Sequence, residues 1–166
     1  MTNYTALAIP PAALKELRST DDAGRACAPY TATEAGSPLR CCLRPVHEGE
    51  EIALVSYAPL RRWAAETWAK PGAYDEQGPV FIHAEECEGP AEAPEEYPFS
   101  RPGALRTLRR YNAEGHIVGG RLLEIPETAA EGFDTALAEA FAEPEVALVH
   151  IRAVEYGCFQ FEVRRP

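Results

Sequence analysis

The stretch EVALVHIRAVEYGCFQFEVR (residues 145–164) holds two alternating apolar runs around Glu155-Tyr156-Gly157, and its reading decides the fold. Successive side chains of a strand point to opposite faces, so a period of two marks a half-buried hairpin. Val149, Ile151, Ala153, Phe159, Phe161 and Val163 fall on one face, a core face. His150, Arg152, Cys158, Gln160 and Glu162 fall on the other. With Val154 opposite Cys158, Arg152 faces Gln160 and His150 faces Glu162 across the strands.

Working outward, the same pattern recurs. Leu105–Tyr111 and His116–Ile125 form a second hairpin, turning through Asn112-Ala113-Glu114-Gly115. Within it, Gly119-Gly120 signals a bulge or a close backbone approach. Leu39–Arg44 and Glu51–Tyr57 flank a polar loop ending in Gly49-Glu50, which predicts a third hairpin with Cys41 on its apolar face and Cys42 on the other. Tyr4–Ile9 and Val80–Ala84 are apolar enough for strands. Thr128-Ala-Ala-Glu131 fits a capping box, and Phe133, Leu137 and Phe141 with Ala130, Ala136 and Ala140 make a helical stripe stopped by Pro144. Pro10-Pro11 opens a short helix, and residues 61–77 begin helix-like before Pro71-Gly72 breaks them. Residues 19–38 are an irregular connection. Few helices among strands joined by hairpins predict an α+β fold: a mainly antiparallel sheet of hairpins with two or three helices packed on it, in a single domain over 1–166.

The 166 residues suffice for one hydrophobic core. A net charge of −10 repels phosphate backbones and anionic lipid, which excludes nucleic acid and membrane as expected partners. Two lysines, Lys15 and Lys70, leave fourteen of sixteen basic residues as arginine, a bias of GC-rich bacterial coding. No stretch approaches the roughly 20 apolar residues of a membrane span, and the N-terminus has no secretory signal, so the expected compartment is the cytoplasm. Cys27, Cys41, Cys42, Cys87 and Cys158 are then expected to be reduced; their odd number and scattered spacing argue against a disulfide framework.

No P-loop, dinucleotide-binding glycine motif, H-E-x-x-H, nucleophile elbow or C-x-x-C is present. The dispersed residues Cys42, His83, Cys87, His150, Arg152 and Cys158 remain. Thiolate and imidazole are ligands that zinc prefers, which makes Cys42, His83, Cys87 and His150 metal candidates. Cys41 and Cys42, adjacent on a strand, point apart and should not share an ion. A binding site for a small anionic molecule is the companion reading of the same Cys/His/Arg set. The six glutamates of Glu85–Glu96 read as a solvated loop. A nucleophilic thiol needs a cation or base beside it; glutamates surround Cys87, whereas Arg152 and His150 favour Cys158. The plain alternative is structural: His83 on a carbonyl, Cys87 and Cys158 as small hydrophobes, His150–Glu162 as a cross-strand pair. A further alternative is a non-catalytic interaction module, a homodimer in its simplest form, anchored by Trp63, Trp68 and Tyr74. The residues leave these readings open.

The order of short motifs adds one observation. Arg40-x-Cys42-Leu43-Arg44, Ser56-Tyr57-x-Pro59, Gly78 to Cys87 (GPVFIHAEEC), Arg110-Tyr111-Asn112, Val149 to Arg152 (VHIR) and Cys158 to Gln160 (CFQ) occur in series. The chain resembles domain-of-unknown-function family 1203, small bacterial proteins, over residues 39 to 164. The resemblance implies no activity. It aligns Cys42 with the second cysteine of a C-R-x-C-L-R pattern and puts Leu39 where the first would stand, so Cys41 is an addition. It matches Cys42, His83, Cys87, His150, Arg152 and Cys158.

Overall fold

The computed structural model describes residues 2–166. In chain order the elements are α1 (Pro11–Leu17), β1 (Tyr30–Thr31), β2 (Glu51–Tyr57), α2 (Pro59–Thr67), a short 3-10 turn (Gly72–Tyr74), β3 (Gly78–His83), β4 (Leu105–Asn112), β5 (Ile117–Glu124), α3 (Ala129–Ala142), β6 (Val146–Ala153) and β7 (Phe159–Arg164). They build two antiparallel sheets, β1-β2-β3 and β5-β4-β6-β7. The fold is α+β with antiparallel sheets, as the hairpin pattern predicts. None of the described helices is long and apolar enough to cross a membrane.

α3 lays its stripe of Phe133, Ala136, Leu137 and Ala140 on the four-stranded sheet, against Val149, Ile151, Phe161 and Val163. Burying this apolar area is the main term holding that layer together. Thr128 makes no side-chain capping bond, so the capping box does not form; Glu131 in the first turn still complements the helix dipole. A second cluster packs α1, through Leu14 and Leu17, against Ile52, Val55, Val80 and Ile82 of the three-stranded sheet. β5 carries a bulge where its register against β4 slips between Arg110 and Tyr111, beside Gly119.

Several expectations are corrected. Leu39–Arg44 is no strand. Pro38 and Pro45 pair as an isolated bridge, and between them the chain turns, with Leu43 N–H bonded to Leu39 O and Leu39 N–H to Arg44 O. Proline at both ends cannot donate a ladder bond, and Leu43 sits at φ 58, a left-handed conformation incompatible with a continuous strand. β2 pairs instead with β1 and β3. Tyr4–Ile9 makes one bridge, Leu7 to Glu162, and a bond from Ile9 N–H to Arg40 O.

The last hairpin keeps His150 opposite Glu162 but shifts register between Ile151 and Arg152, so that Arg152 faces Phe159 rather than Gln160. One extra residue flips every side chain beyond it. Phe161 therefore packs on Phe133 under α3, while Phe159 turns to the opposite face, edge-on to His150 and Tyr57. That opposite face is not solvated either. Trp63 of α2, with Leu60, Tyr111 and Leu148, forms a third cluster over it, and His150 is 1% exposed. Trp63 is thus a core residue, whereas Trp68 is exposed and Tyr74 partly so.

Candidate metal centre

The turn at 38–45 is stitched to β3. Arg40 N–H donates to Phe81 O at 2.9 Å, Leu39 bridges Phe81, and Leu39 itself is fully buried beneath. Because the chain turns here instead of extending, the side chains of Cys41 and Cys42 do not alternate across a sheet. Both reach the exit of β3, where His83 is the last strand residue. Cys41 Sγ accepts the His83 backbone N–H at 3.2 Å and lies 3.3 Å from His83 Nδ1. Cys42 Sγ lies 3.8 Å from the same nitrogen and 3.9 Å from Cys41 Sγ. The chain bends after β3 and returns Cys87, so that the ligand atoms of Cys41, Cys42, His83 and Cys87 all lie within 4.8 Å of one another. A tetrahedral ion with metal–sulfur bonds of about 2.3 Å and metal–nitrogen bonds of about 2.0–2.1 Å has edges of about 3.5–3.8 Å. The separations of 3.3, 3.8 and 3.9 Å among Cys41, Cys42 and His83 bracket that range.

The outer partners suit the same purpose. His83 Nε2 is 3.1 Å from Glu50 Oε1, and Arg44 grips Glu50 with both terminal nitrogens, Nη1 donating at 3.0 Å. That grip, then the His47 backbone N–H and His83, hold the Glu50 carboxyl well below the usual carboxylate range. An ionised carboxylate only accepts, so Nε2 carries the ring hydrogen and Nδ1 presents its lone pair to the sulfurs. Arg44 Nη2, 3.3 Å from Nε2, shares the carboxylate with the ring rather than bonding to it. A carboxylate behind an imidazole is the arrangement that orients metal-bound histidines.

The paired thiols are poised asymmetrically. Cys41 donates to Cys42, which pushes the Cys41 thiol up, and burial pushes it further. The same bond lowers Cys42 against its own burial, helped by the Arg44 backbone N–H and the nearby charge of Arg44. Of the two, Cys42 ionises the more readily and Cys41 keeps its proton the more firmly. Cys42, His83 and Cys87 line an open groove of about 1210 Å³ whose rim carries seven glutamates, among them Glu85, Glu86 and Glu88, against the single cation Arg44.

Of the six residues named from sequence, Cys42, His83 and Cys87 come together here. His150, Arg152 and Cys158 do not. His150 is sealed in the core, its Nε2 2.8 Å from Glu162 Oε2. Burial would raise the Glu162 carboxyl, but bonds from His150 and Arg164 hold it below its usual range. Arg152 donates to Gly157 O in its own hairpin. Cys158 accepts from Arg40 Nη2 at 3.3 Å on the far side of the 38–45 turn. The sequence argument missed Cys41 and Glu50. The bracketing Pro38 and Pro45 were the available signal for Cys41; nothing local marks Glu50.

The fold and site define a small α+β protein with a three-cysteine, one-histidine cluster at the seam between a turn and a sheet. The chain belongs to the family described as "Protein of unknown function (DUF1203)", whose sequence profile matches residues 36–165. No curated protein and no solved structure matches it.

Proposed function

We propose that the chain binds one d-block cation, zinc before others, through Cys41, Cys42, His83 and Cys87, in a cytoplasm that keeps its thiols reduced. The observation that carries this reading is the convergence of four soft or borderline donors within 4.8 Å. Charge selects the metal. Three thiolates leave a zinc(II) centre with one net negative charge; copper(I) would leave two, inside an already acidic groove. Four protein ligands complete a tetrahedron, so the site is closed and is not set up to activate a water. The acidic rim concentrates cations at the entrance.

The test is metal analysis and zinc titration of untagged protein purified without chelator. One zinc per chain is expected, with cobalt(II) substitution giving the intense thiolate charge-transfer and d–d bands of a tetrahedral site. Cys42→Ser and His83→Ala each abolish stoichiometric binding. Wild-type protein that takes up neither zinc nor cobalt removes the reading, and preferential retention of copper(I) over zinc replaces the metal.

A further inference from the structure

A second cavity, of about 1050 Å³, opens on the other side of the 38–45 turn. Its inner wall includes Arg40 and Arg106, which are 1% and 6% exposed. Neither guanidinium has a carboxylate hydrogen-bonded to it. Arg40 donates to the carbonyls of Phe159 and Pro38 and to Cys158 Sγ. Arg106 donates to the carbonyls of Leu105 and Phe99, at 2.8 Å each, and its buried Nε has no partner. Glu155, at 3.6 Å, is a loose and half-exposed counter-ion for Arg106. Arg44, Arg61, Arg62, Arg109, Arg110 and Arg164 by contrast each bond a carboxylate, while Arg18, Arg152 and Arg165 donate to carbonyls but do not line this cavity.

Burying a cation is costly unless an opposite charge and hydrogen bonds compensate it. With 26 acidic residues against 16 basic ones, carboxylates are not scarce in this chain. Two buried guanidiniums face one cavity with only the loosely held Glu155 as counter-ion, and their planar forks of donors match carboxylate and phosphate oxygens. The opposite wall is apolar: Leu54 is 51% exposed on the outer face of β2, with Phe81 and Tyr156 beside the same cavity. We propose that this cavity binds a small organic anion, its carboxylate or phosphate group held by Arg40 and Arg106 and its apolar body laid against Leu54 and Phe81. The site is separate from the metal centre and does not depend on it. Desolvation disfavours the charged form of both arginines in the free protein, and a bound anion relieves that penalty.

Calorimetric titration of the full chain with phenyl phosphate, benzoate and inorganic phosphate tests it. Phenyl phosphate or benzoate is expected to saturate one site per chain, with inorganic phosphate weaker because it lacks the apolar body. Arg106→Gln should weaken binding about tenfold or more, and Arg101→Ala, an exposed residue at the same cavity, by a few-fold. Cys87→Ser, which breaks the metal centre, should leave the affinity unchanged. A second readout needs no variant. Iodoacetate, itself a small anion, should alkylate Cys158 faster than neutral iodoacetamide does, the thiolate sulfur displacing iodide to form the S–C bond and the thiol proton passing to solvent. Phenyl phosphate should protect Cys158 competitively. Equal titrations for wild type and Arg106→Gln, no saturation by either aromatic anion, or iodoacetamide outpacing iodoacetate at Cys158 would each overturn the proposal.

Discussion

The two cavities share one wall and carry opposite signs. The 38–45 turn sends Cys42 and Arg44 towards a groove rimmed by glutamates, with Cys41 buried behind them, and sends Arg40 towards the cavity lined by Arg106 and Cys158. Had residues 39–44 been a strand, Arg40 and Cys42 would have shared a face and Cys41 would have been lost to the core. A turn releases neighbours from that alternation. The general point is that adjacent residues of unlike chemistry can serve two separate sites only where the backbone is irregular, and here two prolines and a left-handed leucine make it so.

The most damaging way to break the comparison is to remove what the two sites have in common. Leu39 is fully buried under the turn and makes both of its closing bonds. Leu39→Ala should cost about 2–5 kcal/mol in denaturant unfolding, the range for truncating a buried leucine, and should weaken zinc and phenyl phosphate together. Loss of one ligand with full retention of the other would show that the turn is not a shared support. Next in size is a change confined to one side. Glu50→Gln keeps the shape but gives up the carboxylate that orients His83, so zinc affinity should fall about 10–100-fold. Phenyl phosphate binding, read in the same calorimeter, should not move.

These tests rest on parts of the molecule that were unequally legible in the sequence. α3 and the hairpins β4–β5 and β6–β7 follow from periodicity, because each buries one face and the period of that face sets the side-chain pattern. The family was legible from the order of its motifs, and the match over residues 36–165 agrees. The covering of the His150 face was not legible: it depends on Trp63 and α2 docking from elsewhere in the chain, and long-range docking leaves no local period. The bulge that turns Phe159 away from Phe161 was hidden for the related reason that one unpaired residue changes register without changing composition. For the site, Cys42, His83 and Cys87 were named from donor chemistry alone. Cys41 is in the core as expected, but so is Cys42, and the alternation that set the two apart holds only in strands. Cys158 and Arg152 were grouped with His150 as ligand-site candidates because one hairpin carries them, yet Cys158 lines the other cavity and Arg152 bonds within its own hairpin.

A smaller effect separates the sites by pH. The Cys42 and burial effects that push the Cys41 thiol up leave it protonated at neutral pH in the free protein. Zinc must displace that proton, so binding releases it and acidification opposes binding. Each proton released weakens zinc about tenfold per unit fall in pH. Across pH 6–8 arginine stays charged, so benzoate affinity at the second cavity should be nearly flat over the same range. Zinc titrations in buffers of different ionisation enthalpy count the protons directly. A pH-independent zinc affinity would contradict the shared-proton description of Cys41 and Cys42.

The smallest expected change concerns how ligands arrive. Glu85, Glu86 and Glu88 are exposed at the rim of the cysteine groove and make no described hydrogen bond to the donor set, so neutralising them should leave the bound geometry intact. Surface charge of this kind acts through the field at the entrance, over about a Debye length, roughly 10 Å at 0.1 M salt. A Glu85→Gln/Glu86→Gln/Glu88→Gln variant should therefore capture zinc a few-fold more slowly at low salt, with an unchanged dissociation rate, and the difference should vanish as salt is raised. The same substitutions act with the opposite sign on an anion: iodoacetate should reach Cys87 faster than in the wild type, while its rate at Cys158, across the turn, stays where it was. A change at Cys158 of the same size would mean that the two cavities share one electrostatic field, and the wall between them would then separate their shapes but not their charges.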